Sequence, residues 1–309
     1  RYSTDKIWKV PHFEKMLYDN AQLLTLYANG YAKYKKPLYL ATVNGIITWL
    51  QREMLDESNL FYSALDADSE GEEGKFYVWT EKQIDSLLGE DAAAYKEYYE
   101  VNKTGLWEHG NNILMTTERT SAPTNLDKSN TILLNARNQR IAPGLDDKCL
   151  TSWNAMLASG LCDAYTVTNN ESHKQLAINA LDTLLKHQFR NDKILHSFKK
   201  GKSTIDGMLE DYAFLGQACL DVFKLTGNES YLSSCNSIIS LAVAKFYDQE
   251  KEMFYFNTAN ELVVRVAEIY DNVIPATNSA MANLLTEAGL VNGNTQQLKL
   301  AQTLIGKVQ

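Results

Sequence analysis

The feature that most constrains the fold is a series of long segments with helical periodicity and almost no charge. Residues 151–168 (TSWNAMLASGLCDAYTVT) carry one charged side chain, Asp163, and residues 276–291 carry one, Glu287. A helix without a charged face is buried on most sides. The helical segment 171–190 that follows the first of these is rich in charged residues, as expected for a solvated face. The sequence therefore predicts pairs made of one buried helix and one exposed helix.

The same periodicity predicts a helix in most of the chain. The predicted helices cover residues 13–31, 37–54, two shorter segments in 80–100, 129–142, 151–168, 171–190, 209–226, 229–246, 276–291 and 294–309. Pro37 begins the second of these, a position where its missing N–H costs nothing. The chain is thus expected to be all-α.

Aromatic and acidic segments connect the helical pairs. Residues 61–79 and 194–212 each predict a short hairpin with glycine in the turn, and a third connection runs through 253–256 and 261–266. The buried helices that contain Trp153, Tyr212 and Ser279 recur about every 60–70 residues, which is long for a TPR or HEAT unit. About five helical pairs that close into a ring, with the low-charge helices inside, fit this spacing. No Pro/Gly/Ser-rich linker interrupts it, so we expect one domain over 1–309.

Composition excludes several classes of protein. The chain has 30 Lys+Arg and 38 Asp+Glu, a formal charge of −8, which argues against a nucleic-acid partner. No apolar run reaches the roughly 18 residues that a membrane span needs, so no membrane partner is expected. The four cysteines form no metal-binding or disulfide pattern. We therefore expect buried thiols, no metal, no cofactor and a reducing, cytoplasmic location.

Polar residues at the starts of the inner helices are the candidate functional groups, because a ring brings these starts to one mouth. Asp68, Asp147, Asp211 and His12 are the catalytic candidates. Two carboxylates across a pocket can act as general acid and base, and His12 can orient a group or shuttle a proton. The alternative is structural: acids at a helix start stabilise its dipole, and 66–73 is a solvated hairpin tip.

A second set of residues is expected to bind the substrate. Trp153 and Tyr212 offer stacking platforms, and amides and carboxylates beside them offer hydrogen bonds of the kind a sugar accepts. The substrate-binding candidates are Glu14, Tyr18, Asp66, Trp153, Asn154, Tyr212, Asp271 and Asn278. Of the five histidines, only His12 lies at the start of an inner helix, and His196 lies in a connecting strand. A mechanism in which two histidines shuttle protons would therefore need His196 to reach the mouth of the ring as well.

Four runs carry a resemblance to a known family: 8–23 (WKVPHFEKMLYDNAQL), 62–80, 144–157 (GLDDKCLTSWNAML) and 210–215. They resemble the spermatogenesis-associated, thioredoxin domain-containing protein family. The resemblance implies an N-terminal thioredoxin-like domain, absent from this chain, followed by an (α/α)6 six-hairpin toroid that is incomplete at the ends here. That toroid is similar to N-acylglucosamine 2-epimerase and unsaturated-uronyl hydrolase barrels. No redox activity is assigned to this part.

Two functional hypotheses follow. In the first, the toroid acts on or binds a carbohydrate, as a hydrolase or an epimerase, with a small molecule or glycan in the central cavity and carboxylates at its mouth. In the second, it is a non-catalytic binding or scaffold domain that partners the thioredoxin-like domain of the same full-length protein. Its 17 tyrosines suit a recognition surface as well as a packed core.

Overall fold

A computed structural model describes residues 2–116, 121–203, 205–258 and 265–308. The contacts divide the chain into two compact units. The first unit consists of Arg1–Lys15 and Ala64–Asp146, and the second unit of Met16–Ser63 and Asp147–Gln309. The sequence predicts one continuous domain over 1–309; in the structure the long helical hairpins all belong to the second unit. Each unit is described separately below.

Helices dominate the second unit, as the hydrophobic periodicity predicts, and three shorter helices lie in the first unit. The α-helices of the described residues are α1 (Leu17–Tyr34), α2 (Pro37–Trp49), α3 (Glu81–Leu88), α4 (Ala92–Tyr98), α5 (Leu126–Arg137), α6 (Thr151–Thr168), α7 (Glu171–His187), α8 (Leu209–Thr226), α9 (Glu229–Phe246), α10 (Thr277–Asn292) and α11 (Thr295–Val308). A π-helical turn, Leu50–Met54, continues α2.

The strands are short and lie between helices. Those in the described residues are β1 (Lys15–Met16), β2 (Ala64–Leu65), β3 (Asp68–Ser69), β4 (Glu72–Glu73), β5 (Leu145–Asp146), β6 (Cys149–Leu150), β7 (Phe189–Arg190), β8 (Lys193–Ile194), β9 (Ser197–Lys199), β10 (Lys202–Ser203), β11 (Tyr247–Asp248) and β12 (Met253–Phe254). The hairpins β3–β4 and β9–β10 turn at Gly71 and Gly201, both with positive φ. The two glycine-turn hairpins predicted from the sequence are thereby confirmed.

In the second unit, four helical hairpins stand side by side in the described residues. The inner helices α1, α6, α8 and α10 pack in that order, and each packs against the outer helix that follows it: α2, α7, α9 and α11. Gly160 permits the close approach of α1 and α6, since a Cβ there would lie 2.9 Å from the carbonyl oxygen of Ala21. This alternation of inner and outer helices is the (α/α) toroid architecture predicted from the sequence.

Burial explains why the low-charge segments form the inner layer. Eleven of the eighteen residues of α6 are buried, and α8 has the same number. The outer helix α7 buries only five residues along one stripe. All four cysteines are buried free thiols, as predicted. Among the described helices, none combines the length and apolar character that a membrane crossing requires.

The first inner helix begins later than the sequence predicts. Residues 12–14 have no regular secondary structure and 15–16 form a strand, so α1 starts at Leu17. The N–H of His12 donates to the carbonyl of Tyr2, and Ser3 pairs with Pro11, which holds this segment extended. The prediction that this helix begins at residue 13, with His12 at its start, is therefore wrong, because the helical repeat begins only at Leu17.

The first unit has its own small core, built from α3, α4 and α5. Trp79, Ile84 and Tyr95 are buried there together with Leu133. The guanidinium of Arg140 lies 3.8 Å from the Trp79 ring centroid and donates to the carbonyls of residues 75, 76 and 78. The third predicted connection is described only in part: residues 253–256 and 265–266 are described, and residues 261–264 lie outside the described residues.

Candidate functional site

A cavity of about 290 Å³ opens in the second unit where three inner helices begin. Its lining comes from the starts of α6, α8 and α10 and from the segments that lead into them. The lining residues are Leu150, Trp153, His196, Glu210, Phe256, Glu268, Tyr270, Asn272, Val273, Ile274, Pro275 and Ala276. The prediction that helix starts distant in sequence converge on one hollow is confirmed for these three helices.

The polar centre of the cavity is a histidine paired with a buried carboxylate. The Nδ1 atom of His196 lies 2.9 Å from Oδ2 of Asp211, whose side chain has no exposed surface. Asp211 also accepts the backbone N–H groups of Ser152 and Met208. The hydrogen bond to Asp211 raises the pKa of His196 above its ordinary value, more than burial lowers it. With Nδ1 engaged, Nε2 is the ring nitrogen that can reach a ligand.

Glu210 lies beside this pair. Its Oε1 atom accepts a hydrogen bond of 3.2 Å from Ser152 Oγ and lies 4.0 Å from His196 Nδ1. Burial, with a further contribution from the charge of Asp211, raises the pKa of Glu210 to about 7. A carboxyl group with such a pKa takes up and releases protons near neutral pH, the property that a general acid or base needs.

A small sheet brings His196 to the start of α6. Strand β6 pairs with β9 in antiparallel register, Cys149 opposite Phe198 and Leu150 opposite Ser197. Immediately before β9, the carbonyl of His196 accepts the N–H of Thr151, the residue that follows β6. Because Asp211 lies in the first turn of α8 and bonds the N–H of Ser152 in α6, one buried carboxylate ties both helix starts to the histidine.

An aromatic wall completes the site. Trp153 lines the cavity, and its ring meets that of Tyr18 edge to face at a centroid distance of 4.7 Å. Tyr18 is 3% exposed, so it supports Trp153 from behind. Both residues are substrate-binding candidates from the sequence, and the structure brings both of them together with Asp211 in the second unit.

Three other candidates in the second unit hold the backbone. The Asn154 amide accepts the N–H of Phe61 and donates to its carbonyl, and the Asn278 amide does the same with Phe254. The Tyr212 hydroxyl accepts the N–H of Ile194. All three side chains are at most 2% exposed. Their contacts are those of residues that fix the connecting segments against the inner helices.

The two remaining aspartates of this unit make local contacts. Asp147 forms an ion pair with Lys199, which holds the pKa of its carboxyl below the usual range. Asp271 is exposed and accepts the N–H of Ala276 just before α10 begins. Neither lines the cavity, although Asp271 lies between Tyr270 and Asn272, which do.

The other four candidates, His12, Glu14, Asp66 and Asp68, belong to the first unit. His12 Nδ1 accepts the N–H of Glu14. Asp66 and Asp68 are exposed, and Asp66 accepts the N–H of Asp68. Their assignment to catalysis and substrate binding stays a prediction.

Sequence reasoning missed Glu210 and Glu268 and left His196 undecided. Glu210 stands in the acid pair that begins α8, a pattern that predicts a functional helix start but does not reveal which acid faces the cavity. Asp211 is the buried one and Glu210 the one at the cavity. Glu268 lies in a segment without any motif; its carbonyl accepts from Asn278, which fixes it near the start of α10.

His196, Glu210 and Asp211 form the one group of potential metal ligands found among the described residues, with ligand atoms within 4.8 Å of one another. Both oxygens of Asp211, however, already accept backbone N–H groups, and Oδ2 also faces His196 Nδ1. Hydrogen bonding therefore accounts for the arrangement without a cation.

Comparison of the sequence with known proteins identifies relatives that share this region. Spermatogenesis-associated protein 20 of Rattus norvegicus is 30% identical over 94% of this chain, and that of Homo sapiens is 30% identical over 92%. Over this region the chain is similar to spermatogenesis-associated protein 20. It spans 43% of the length of either relative, so it corresponds to only part of them. No protein-family model matches the sequence.

Several solved structures that are similar to this chain are named as sugar enzymes. A sugar epimerase from a ruminal bacterium matches 95% of this chain with a TM-score of 0.60, and cellobiose 2-epimerase from Bacillus thermoamylovorans matches 98% with a TM-score of 0.62. A GH76 α-mannanase from Bacteroides thetaiotaomicron matches 94% with a TM-score of 0.55. The match covers 60%, 63% and 60% of those chains. These structural matches establish the toroid fold, and at sequence identities of 12–14% they establish nothing finer.

Proposed function

We propose that the second unit binds a small carbohydrate in the cavity and transfers protons to and from it with Glu210 and His196. The single observation that supports this most strongly is their placement. A carboxyl group with a pKa of about 7 and a histidine paired with a buried carboxylate face one hollow, 4.0 Å apart, beside an aromatic wall. The toroid neighbours named as sugar epimerases and a mannanase support a carbohydrate as the ligand class.

The size and lining of the cavity suit a ligand of about one sugar ring. Ligand pockets are typically about 300–1,000 Å³, and this cavity is at the lower end of that range. The flat face of a sugar packs on an aromatic ring such as Trp153. The hydroxyls of the sugar then find acceptors in Glu210 and Glu268.

The reaction that these groups fit best is isomerisation or epimerisation of a sugar in its open-chain form. The Glu210 carboxylate takes the proton from the carbon next to the carbonyl, and the C–H electron pair forms the C=C bond of an enediol. His196, protonated, gives the proton at Nε2 to the carbonyl oxygen as the C=O π electrons move to it. In isomerisation, Glu210 then gives its proton to the former carbonyl carbon while His196 takes the proton of the neighbouring hydroxyl; in epimerisation, a proton returns to the same carbon on its other face and His196 takes back the enediol proton. No oxidant or reductant is consumed in either case.

Asp211 serves this chemistry without touching the sugar. It accepts from Nδ1 and so fixes the ring orientation and the tautomer of His196. Because it raises the pKa of His196, it maintains a supply of the protonated form near neutral pH. Asp211 is a positioning residue.

Glycoside hydrolysis is the second candidate, and one observation favours it. Glu268 lines the same cavity and is close enough to Glu210 for its charge to contribute to the raised pKa of that carboxyl. A protonated Glu210 and an ionised second carboxylate are the acid and the base, or nucleophile, that a glycosidase needs.

A deuterium-exchange experiment tests the proposal. Aldoses and ketoses are incubated with the protein in D₂O and analysed by mass spectrometry. Wild type is expected to incorporate deuterium at the carbon next to the carbonyl, and Glu210→Gln and His196→Gln are expected to lose more than about 100-fold of that rate. Glu250→Gln, at an exposed turn, serves as the matched control.

The same sugars, offered as nitrophenyl glycosides, test the second candidate by release of nitrophenol. Binding in calorimetry without exchange or hydrolysis would support the non-catalytic hypothesis instead. Absence of binding, exchange and hydrolysis with every sugar would contradict the proposal.

We also propose that a thioredoxin-like domain of the full-length protein is a partner of this chain. The family resemblance and the greater length of the relatives support it. The test is a pull-down with that domain produced separately; failure to associate at micromolar concentrations would contradict it.

A further inference from the structure

We propose that the sugar bound in this cavity carries a negative charge, and that a lysine cluster on the sheet β6–β9–β10 holds the charged group. This inference rests on the proposed function and names its substrate class. The cluster consists of Lys148, Lys199, Lys200 and Lys202, all exposed. It stands out because the chain as a whole has a formal charge of −8.

The register of the sheet collects three of these lysines. Lys202 of β10 lies opposite Lys199 of β9. Leu150 of β6 lies opposite Ser197, and Cys149 opposite Phe198. One further step in that register places Lys148 opposite Lys199. Three lysines therefore occupy neighbouring positions across the sheet.

This arrangement has a cost in stability. Like charges directly opposite each other on neighbouring strands repel and destabilise a sheet. The ion pair of Lys199 with Asp147 compensates part of that repulsion. A bound anion at the cluster would compensate more of it, as basic side chains do when they hold a phosphate or a carboxylate.

The same sheet connects the cluster to the cavity. Residues two apart in a strand face the same side, so Lys148 lies on the same side as Leu150, which lines the cavity. Lys148 is also close enough to His196 for its charge to lower the pKa of that imidazole. Lys148 therefore lies near the rim of the hollow, and the register places Lys199 and Lys202 next to it.

Charge distribution then sets the orientation of the ligand. Glu210 and Glu268 line the cavity and disfavour an anion there, whereas the lysines attract one at the rim. A sugar phosphate or a sugar acid would place its neutral ring on Trp153 and its anionic group on the sheet. A neutral sugar gains nothing from the lysines.

The experiment is calorimetric titration of the 309-residue chain with glucose, glucose 6-phosphate, glucuronate and inorganic phosphate. At about 50 mM salt, the two anionic sugars are expected to bind about tenfold more tightly than glucose, and this preference should fall toward unity near 300 mM salt because screening grows. Comparison of glucose 6-phosphate with glucuronate shows whether the lysines favour a phosphate or a carboxylate.

A triple variant, Lys148→Gln with Lys200→Gln and Lys202→Gln, is expected to lose the preference and to keep its affinity for glucose within about twofold. Lys299→Gln on α11, also exposed, is the matched control and should retain the preference. Equal affinity of wild type for glucose and both anionic sugars would overturn this inference and leave the proposed function intact. Anion binding that Trp153→Ala does not weaken, with no binding of glucose, would contradict both, since the anion site would then be separate from a carbohydrate cavity.

Discussion

Nδ1 of His196 lies 2.9 Å from Oδ2 of Asp211, a residue 15 positions further along the chain. The same carboxylate accepts two backbone N–H groups, one at the start of α6 and one at the start of α8. The buried Asp211 thus has two effects. It fixes the helix starts that form the cavity, and it sets the orientation and the protonation of the histidine that faces it.

Asp211→Asn is predicted to lower the pKa of His196, because the hydrogen bond and the charge that raise it are weakened. The interaction of His196 with Asp211 also stabilises the folded protein below the ordinary pKa of histidine. This stabilisation is lost as pH rises through the raised native pKa. The variant should therefore lose about 1–3 kcal/mol of unfolding free energy, most of it at low pH. An NMR titration of the His196 ring measures the first effect, and Asp248→Asn, at the end of β11, is the control. An unchanged His196 pKa would contradict this role.

Glu210→Gln is predicted to flatten the dependence of stability on pH. The native pKa of Glu210 is raised to about 7, so the native protein binds this proton more tightly than the unfolded chain does. Wild-type stability should therefore fall as pH rises from about 5 to about 8. The glutamine variant lacks this contribution, so its stability should fall less steeply with pH. Urea denaturation at pH 5, 6, 7 and 8 measures it; an equally steep fall in both proteins would show that Glu210 ionises as an exposed carboxyl does.

Asp163→Asn is predicted to stabilise the protein at pH 8 by about 1–2 kcal/mol and to have little effect at about pH 4. Asp163 lies deeper in α6, where burial raises the pKa of its carboxyl to about 6 and the charge of Asp221 on α8 adds to the effect. Ionising it therefore costs stability as pH rises from about 4 to about 6. Thermal denaturation at both pH values is the measurement, and a variant less stable at pH 8 than wild type would contradict the prediction.

Asn154→Ala and Asn278→Ala are each predicted to lower the free energy of unfolding by about 1–3 kcal/mol, because each leaves buried backbone groups of a connecting segment without a partner. Trp153→Ala, in contrast, should weaken sugar binding more than about tenfold. Denaturation and calorimetry on all three variants separate the roles. If Asn154→Ala keeps full stability and loses sugar binding, the amide contacts the ligand.

Much of the fold could be predicted from the sequence because its signal is local. Segments such as 151–168 combine helical periodicity with almost no charge, and both properties survive into α6 as an inner helix. The error at His12 has a physical cause: the backbone of Tyr2 pairs with it and keeps it extended, and a periodic pattern does not report such pairing.

The site was less accessible because its residues meet through tertiary contacts. An asparagine at the start of a helix looks the same whether its amide binds a sugar or, as at Asn154, the backbone of Phe61, 93 positions away. His196 reaches the cavity only because β9 pairs with β6, Cys149 opposite Phe198 and Leu150 opposite Ser197, a contact between distant segments that no local pattern encodes. The acid pair at 210–211 was recognisable, but its division into a buried and a cavity-facing acid was not.

The most direct test of the account is deuterium incorporation into a sugar by wild type compared with Glu210→Gln, measured by mass spectrometry in D₂O near neutral pH. The account predicts exchange at the carbon next to the carbonyl in wild type, with a loss of more than about 100-fold in the variant. Exchange at the same rate in both proteins would contradict the assignment of Glu210 as the group that moves the proton.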